Sequence, residues 1–275
     1  MTQATPSRPD ARRRRWRDLR RALTLTWELT KRDVLARYRG SFGGTSWSLI
    51  QPLLMLAIYT IVFTQIIPAR WPGASTTIDF AMLLFSGLLM HSVMVETIVR
   101  APTLITSTPN FVKRIVFPLD LLPVAAVGTS LFHYLLGVIA LCLVLYLVKG
   151  SVPGTVVLLP LVVGPMLLMA LGFAWFLAGI GVFVRDVVHV VGLAGTVLLF
   201  LAPIVYPLQA VPESWRAWLY LNPLTVPVEE GRAVTILGVA PDWRALALYT
   251  VVAAVVALAG YLWFRRVRPQ FADLV

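Results

Sequence analysis

Charge is scarce in this 275-residue chain: 13% of its residues are charged, while 58% are hydrophobic. Soluble domains run near ~25% charged and ~45–50% apolar. The shortage excludes an ordinary water-soluble enzyme and a disordered tail. Cysteine is almost missing. Cys142 stands alone, which excludes a disulfide framework and any multi-cysteine metal site. Lysine is reduced to Lys31, Lys113 and Lys149. A phosphate-cradling loop needs Gly-Lys followed by Ser or Thr. Here the following residues are Arg32, Arg114 and Gly150, so no lysine fits. Histidine is limited to His91, His133 and His189, each in a different apolar run, and no metal-ligand spacing results.

Long apolar runs are what the chain has instead, with a mean hydropathy of +0.79. About 20 residues at ~1.5 Å each cross a ~30 Å hydrocarbon core. Six runs qualify: 47–67, 78–99, 119–148, 155–184, 187–206 and 243–264. Helices are expected, because lipid offers backbone groups no partner. A β-barrel needs alternating polarity, and a run such as LCLVLYLV (141–148) does not alternate. The fold class is therefore an all-α integral membrane protein with six transmembrane helices. Pro123, Pro160, Pro165 and Pro203 lie inside the runs and predict kinks or opened backbone.

The net charge is +11, and its placement orients the chain. Nineteen of the 24 basic residues fall in residues 1–46, in the loop after the second run, at Arg185 and in the tail. Arg70, Lys149, Arg216, Arg232 and Arg244 fall on the other side. Lys and Arg concentrate in cytoplasmic loops, so both termini are expected in the cytoplasm. The Arg-rich stretch 12–21 is followed by too few apolar residues for a signal peptide. Nucleic acid is not an expected partner for so apolar a chain.

Between the spans lie four segments of interest. Residues 1–22 form a basic arm. Residues 23–46 hold an interfacial amphipathic helix and linker, in which Leu23, Trp27, Val34 and Tyr38 share a ~60° arc. Membrane lipids are its expected contact, with Arg32, Arg37 and Arg39 beside headgroups. Residues 100–118 are a long proline-broken cytoplasmic loop with room for a short helix near Asn110 to Phe117. Residues 207–242 are too short for a domain, yet carry Trp215, Trp218, Tyr220 and several aliphatics. Two short re-entrant outer helices are expected there, at about 212–220 and 224–237.

Ionisable residues inside spans are functional candidates by default. Asp79, Glu96 and Asp120 sit near span ends, where helix capping is the expected job. His91 and Glu96 are five residues apart and do not share a helix face. His133 suits a polar contact or a pathway-facing position.

Several ordered stretches carry a family resemblance. RDVLARYRGSFGGTSWSLIQPLLMLAIYTIVF (32–63) resembles the N-terminal signature of type-2 ABC exporter permeases, in particular the polysaccharide, O-antigen and teichoic-acid export branch. The matching residues are Arg37, Tyr38, Arg39, Gly40, Ser41, Trp47, Pro52 and Leu53; Gly43-Gly44 stands where Leu-Gly is commoner. KRIVFPLDLLPV (113–124), FVRDVVHV (183–190), LNPLTVPVEEGR (221–232) and FRRVRPQFADLV (264–275) are similar to that branch as well.

The resemblance implies a permease, not an enzyme, in a bacterial cytoplasmic membrane. It implies a second copy of the chain and two ATP-binding subunits, with ATP and magnesium held on those partners and no cofactor in this chain. Its cargo is expected to be a lipid-linked polysaccharide: O-antigen, teichoic acid or galactan. Asn110, Phe111, Lys113, Arg114 and Ile115 would couple to the ATPase. Trp27, Arg32, Arg37, Tyr38 and Arg39 would mark the interfacial helix. The first, second and fifth spans would line the channel. Tyr59, Phe63, Phe85 and Tyr206 are candidates for aromatic faces along which sugars pass. The segment 207–242 would be an outer gate, with Trp215, Trp218, Tyr220, Asn222 and Glu229 as its candidate residues. A type-2 exporter of drugs or lipid and a multi-spanning membrane enzyme are the competing readings; the few acidic residues at either face disfavour the enzyme.

Overall fold

The computed structural model describes residues 8–40, 43–62, 76–109 and 117–274. Among these residues every regular element is helical. The chain begins with α1 (Arg8–Tyr38), followed by α2 (Trp47–Ile61) and α3 (Thr77–Arg100). Then come α4 (Leu121–Lys149), α5 (Leu159–Phe183) and α6 (Val187–Phe200). Two short helices, α7 (Glu213–Leu219) and α8 (Thr225–Arg232), precede the last long one, α9 (Trp243–Val267), and α10 (Phe271–Leu274) ends the fold. Among the described residues, five segments are long and apolar enough to span: those containing α2, α3, α4, α5 and α9.

The fifth expected span is shorter than its apolar run. α6 has 14 residues, which is about 21 Å of helix against a ~30 Å core. It stops at Phe200, and 201–206 continue as turns leading to Pro207. Pro203 is the reason: it lacks an N–H and its ring clashes with a preceding turn. The other prolines disturb less. Pro160 occupies the first turn of α5, where no amide partner is lost, while Pro165 lies inside it. The interfacial helix also differs from expectation. It begins at Arg8, well before residue 23, so the helix takes in most of the basic arm.

α3 is the hub. Thr76 caps it: Asp79 N–H donates to Thr76 Oγ1 at 3.1 Å, and Thr76 N–H donates to Asp79 Oδ2 at 3.0 Å. This reciprocal box satisfies two amides that the helix cannot. Lys149, at the end of α4, pairs with the same carboxylate at 2.7 Å. Phe80 to Phe85, Met90, Val93 and Met94 of α3 are all buried. α2, α4, α5, α6 and α8 all pack against α3.

α5 and α9 form a tightly packed helix pair. A Cβ on Gly172 would sit 2.7 Å from the Val256 carbonyl, and one on Gly260 would sit 2.1 Å from the Gly172 carbonyl oxygen. Backbone therefore meets backbone at this crossing. Small residues do this in membranes, where association rests on van der Waals packing rather than on water exclusion. Gly150, at φ +72°, closes the end of α4 by donating its N–H to the Tyr146 carbonyl.

Candidate functional site

The second half of α1 docks on the bundle. Leu29, Thr30, Val34 and Tyr38 are buried there. Thr30 Oγ1 reaches the Ala125 carbonyl at 3.4 Å, and Gly128 leaves room for it. Leu23 and Trp27 lie on the expected arc but are exposed. An exposed apolar face flanked by Arg20, Arg21 and Arg32 suits a membrane interface.

Two ion clusters fasten this helix to the spans. Arg100 donates to Asp33 at 2.5 Å. Arg37 donates to Glu96, and His133 Nδ1 lies 3.0 Å from the same carboxylate oxygen. The His133 ring also meets Tyr38 edge-on, with centroids 6.1 Å apart. Glu96 is therefore not a capping residue, as was expected. It faces inward and joins α1, α3 and α4. Asp79 does cap. Asp120 makes no capping hydrogen bond of its own and instead pairs with Arg268 at 3.4 Å. His91 turns away from Glu96, as the helical spacing requires, and its Nε2 meets the Gly195 carbonyl at 2.9 Å. Among the described residues no group of acidic, histidine or cysteine side chains is placed to hold a metal.

The Arg37, Glu96 and His133 cluster lines one side of a groove of about 330 Å³ that α2 and α3 border. Its lining combines polar and aromatic groups, including Arg37, Gln51, Tyr59, Phe85, His91 and Glu96. Tyr59 and Phe85 thus come together, two of the four aromatic candidates. Phe63 lies outside the described residues. Tyr206 is not in the groove: its hydroxyl donates to the Phe200 carbonyl at 2.9 Å and closes the turn after α6.

The outer segment forms two unlike halves. α7 exposes Trp215, Trp218 and nearby Tyr220. Arg216 fastens it to its own loop, through the Val211 carbonyl at 2.9 Å and that of Gln209 at 3.2 Å. α8 and the π-turn Ala233–Leu237 are buried among α3, α5 and α9. Asn222, a gate candidate, is buried between the halves. Its Nδ2 donates to the Leu198 carbonyl, and its Oδ1 accepts from Leu224 N–H at 2.9 Å. Glu229 pairs with Arg232 at 3.1 Å. Burial pushes the Glu229 carboxyl above the usual range and Arg232 down to about 10, so Arg232 stays cationic at neutral pH.

Arg232 is the residue the sequence reading passed over. It counted only as an outer-side charge, yet it is 2% exposed. The available signal was an arginine three residues after Glu229 at the end of the 221–232 motif, a spacing that pairs the two on one helix face. The candidate coupling residues Asn110, Phe111, Lys113, Arg114 and Ile115 lie outside the described residues. The loop's far end is described: Arg268, from the tail, donates to the Phe117 carbonyl at 3.2 Å.

Residues 24–236 match the family described as ABC-2 type transporter. The chain belongs to that family. As a member of the ABC-2 type transporter family it is a multi-pass membrane transport protein, and the membrane-spanning α-helices fit that assignment. It is similar to the O-antigen export system permease protein RfbA of Myxococcus xanthus, with 30% identity over 262 residues, 94% of this chain and 98% of that protein. Two proteins of the same name from Klebsiella pneumoniae are 21% and 22% identical, each over 90% of this chain and 93% of their own length.

Proposed function

We propose that this ABC-2 family chain is the permease subunit of an ATP-driven exporter that carries a lipid-linked polysaccharide of the O-antigen class out across the cytoplasmic membrane. The observation that carries the reading is similarity along almost the whole chain to O-antigen export permeases, at 30% identity in the Myxococcus xanthus protein. In this reading two copies of the chain associate with two ATP-binding subunits, which hold the ATP and magnesium. Both termini face the cytoplasm, as the bias of Lys and Arg supports.

The residues suit the task. The stretch 100–118 faces the ATPase, and Phe111, Lys113 and Arg114 contact it. Motion of that loop reaches α3 directly, because α3 ends at Arg100 where the loop begins. Arg100 and Arg37 pass the same motion to α1 through Asp33 and Glu96. Tyr59 and Phe85 give sugar C–H groups flat apolar faces, and Gln51 and Ser92 give exchangeable hydrogen bonds. A pathway of this kind holds a polymer loosely enough for it to slide. Drug or lipid cargo fits less well, because the relatives with matching length are O-antigen permeases by name.

The test is co-purification of the chain with the ATP-binding subunit encoded beside it, followed by ATPase assay with added lipid-linked glycan. A stable complex is expected, with hydrolysis altered by the glycan. Combined alanine substitution of Phe111, Lys113 and Arg114 is expected to uncouple the two. Absence of any ATPase in the purified complex would overturn the reading.

A further inference from the structure

A helix that breaks within an apolar layer leaves carbonyls without partners, and lipid supplies none. α6 breaks in this way after Phe200. Arg232 answers the break. Its Nη1 donates to the Pro203 carbonyl at 2.5 Å and its Nη2 to the Ile204 carbonyl at 2.6 Å. Its Nε donates to the Leu83 carbonyl of α3 at 2.9 Å. One planar guanidinium thus joins three backbones: the turn after α6, α8 and α3. Lysine has the charge but not the fork.

Further bonds fix the same unit. Ser86 Oγ of α3 lies 3.3 Å from Thr235 Oγ1 of the π-turn. Thr155 donates to the Val234 carbonyl at 2.7 Å, and Tyr249 of α9 donates to the Pro223 carbonyl at 2.9 Å. Gly87 belongs to the arrangement too, since a Cβ there would lie 2.6 Å from Arg232 Nη2. The half that carries α7 is held more lightly among the described residues: the bonds of Arg216 return to residues 209 and 211, and its one side-chain tie to α8 is at its very end, where Thr225 Oγ1 donates to the Leu219 carbonyl at 2.5 Å.

We infer that Arg232 is a positioning residue which welds α8 and its π-turn to α3 as one rigid leaf, so that outer opening during export moves 207–221 and leaves 224–237 fixed on α3. The whole segment 207–242 then does not swing as a single lid. The inference rests on the export reading for one of its readouts, and the other readout is independent of it.

The experiment uses the assembled transporter carrying Cys142→Ala, with Ser86→Cys and Thr235→Cys added. Oxidation is scored by mass spectrometry without nucleotide and with ATP present. A disulfide that forms equally in both conditions, and leaves glycan export at the level of the reduced pair, supports the inference. A disulfide that fails to form, that forms in one condition only, or that stops export until reduced overturns it. If the parent transporter exports no glycan, the export reading fails, while the crosslink comparison still tests the leaf. Arg232→Lys and Gly87→Ala provide the second arm. Both are expected to lose export while ATP hydrolysis continues and the complex stays assembled; unchanged export in both would remove the positioning role from Arg232.

Discussion

Glu96 shows how one side chain can organise three helices. Its carboxylate receives Arg37 from α1 and His133 from α4 while it sits on α3. Arg37 is half exposed, so solvent screens the pair and its worth is modest. Glu96→Ala is expected to cost about 1–2 kcal/mol, chiefly by removing the carboxylate that His133 and Arg37 share. The local consequence is sharper than the global one. α1 should loosen, and trypsin should cut after Lys31 and Arg32 several-fold faster than in the parent. An unchanged cleavage rate would mean that Leu29, Val34 and Tyr38 hold the helix alone. Sequence spacing showed that Glu96 and His91 part company, but it could not show what Glu96 meets. Its partners lie 59 and 37 residues away in the chain, and local pattern carries no information on such pairs. Arg232 was obscured for the same reason: its carbonyl partners carry no side-chain signature.

At the scale of elements, apolar run length located five spans and missed the end of one. Hydropathy continues through Leu201 to Tyr206, so the run looks complete. The backbone answers to Pro203 instead, and the helix ends at Phe200. The short outer helices were legible because prolines and a dense aromatic group bracket them. Their burial was not, since it depends on α3, α5 and α9 arriving together. The α5–α9 crossing yields a direct prediction. Gly172→Leu or Gly260→Leu should lower the melting temperature in detergent strongly, because backbone rather than a yielding side chain occupies the space; overpacking costs typically ~1–3 kcal/mol. Gly164→Ala is the control, since a Cβ there meets nothing within 4 Å. It should be neutral or stabilise by up to about 1 kcal/mol through helix propensity. Equal effects from all three would contradict the packing described.

For the whole molecule, charge and apolarity divide the chain into three zones. Basic residues gather at one end, where α1, the 100–118 loop and the tail lie close in sequence to the span ends. Arg268 ties the tail to Phe117 and Asp120, so the C-terminus braces the loop expected to meet the ATPase. Arg268→Ala should therefore reduce coupling more than stability: glycan-dependent change in ATP hydrolysis should fall while the melting temperature moves little. A large melting shift with coupling intact would make Arg268 a structural clamp only. The middle zone is the apolar spans, which the groove bordered by α2 and α3 enters from the Arg37, Glu96 and His133 cluster, and the third is the outer segment. Family membership and the spans agree on a multi-pass transport protein. Cargo is the central claim that goes beyond them. It is tested most directly by deleting this gene in its own cell and following the lipid-linked polysaccharide. The account predicts loss of surface polysaccharide and build-up of finished lipid-linked chains on the cytoplasmic side, both reversed by the intact gene. Normal surface polysaccharide in the deletion strain, with no internal build-up, would contradict it.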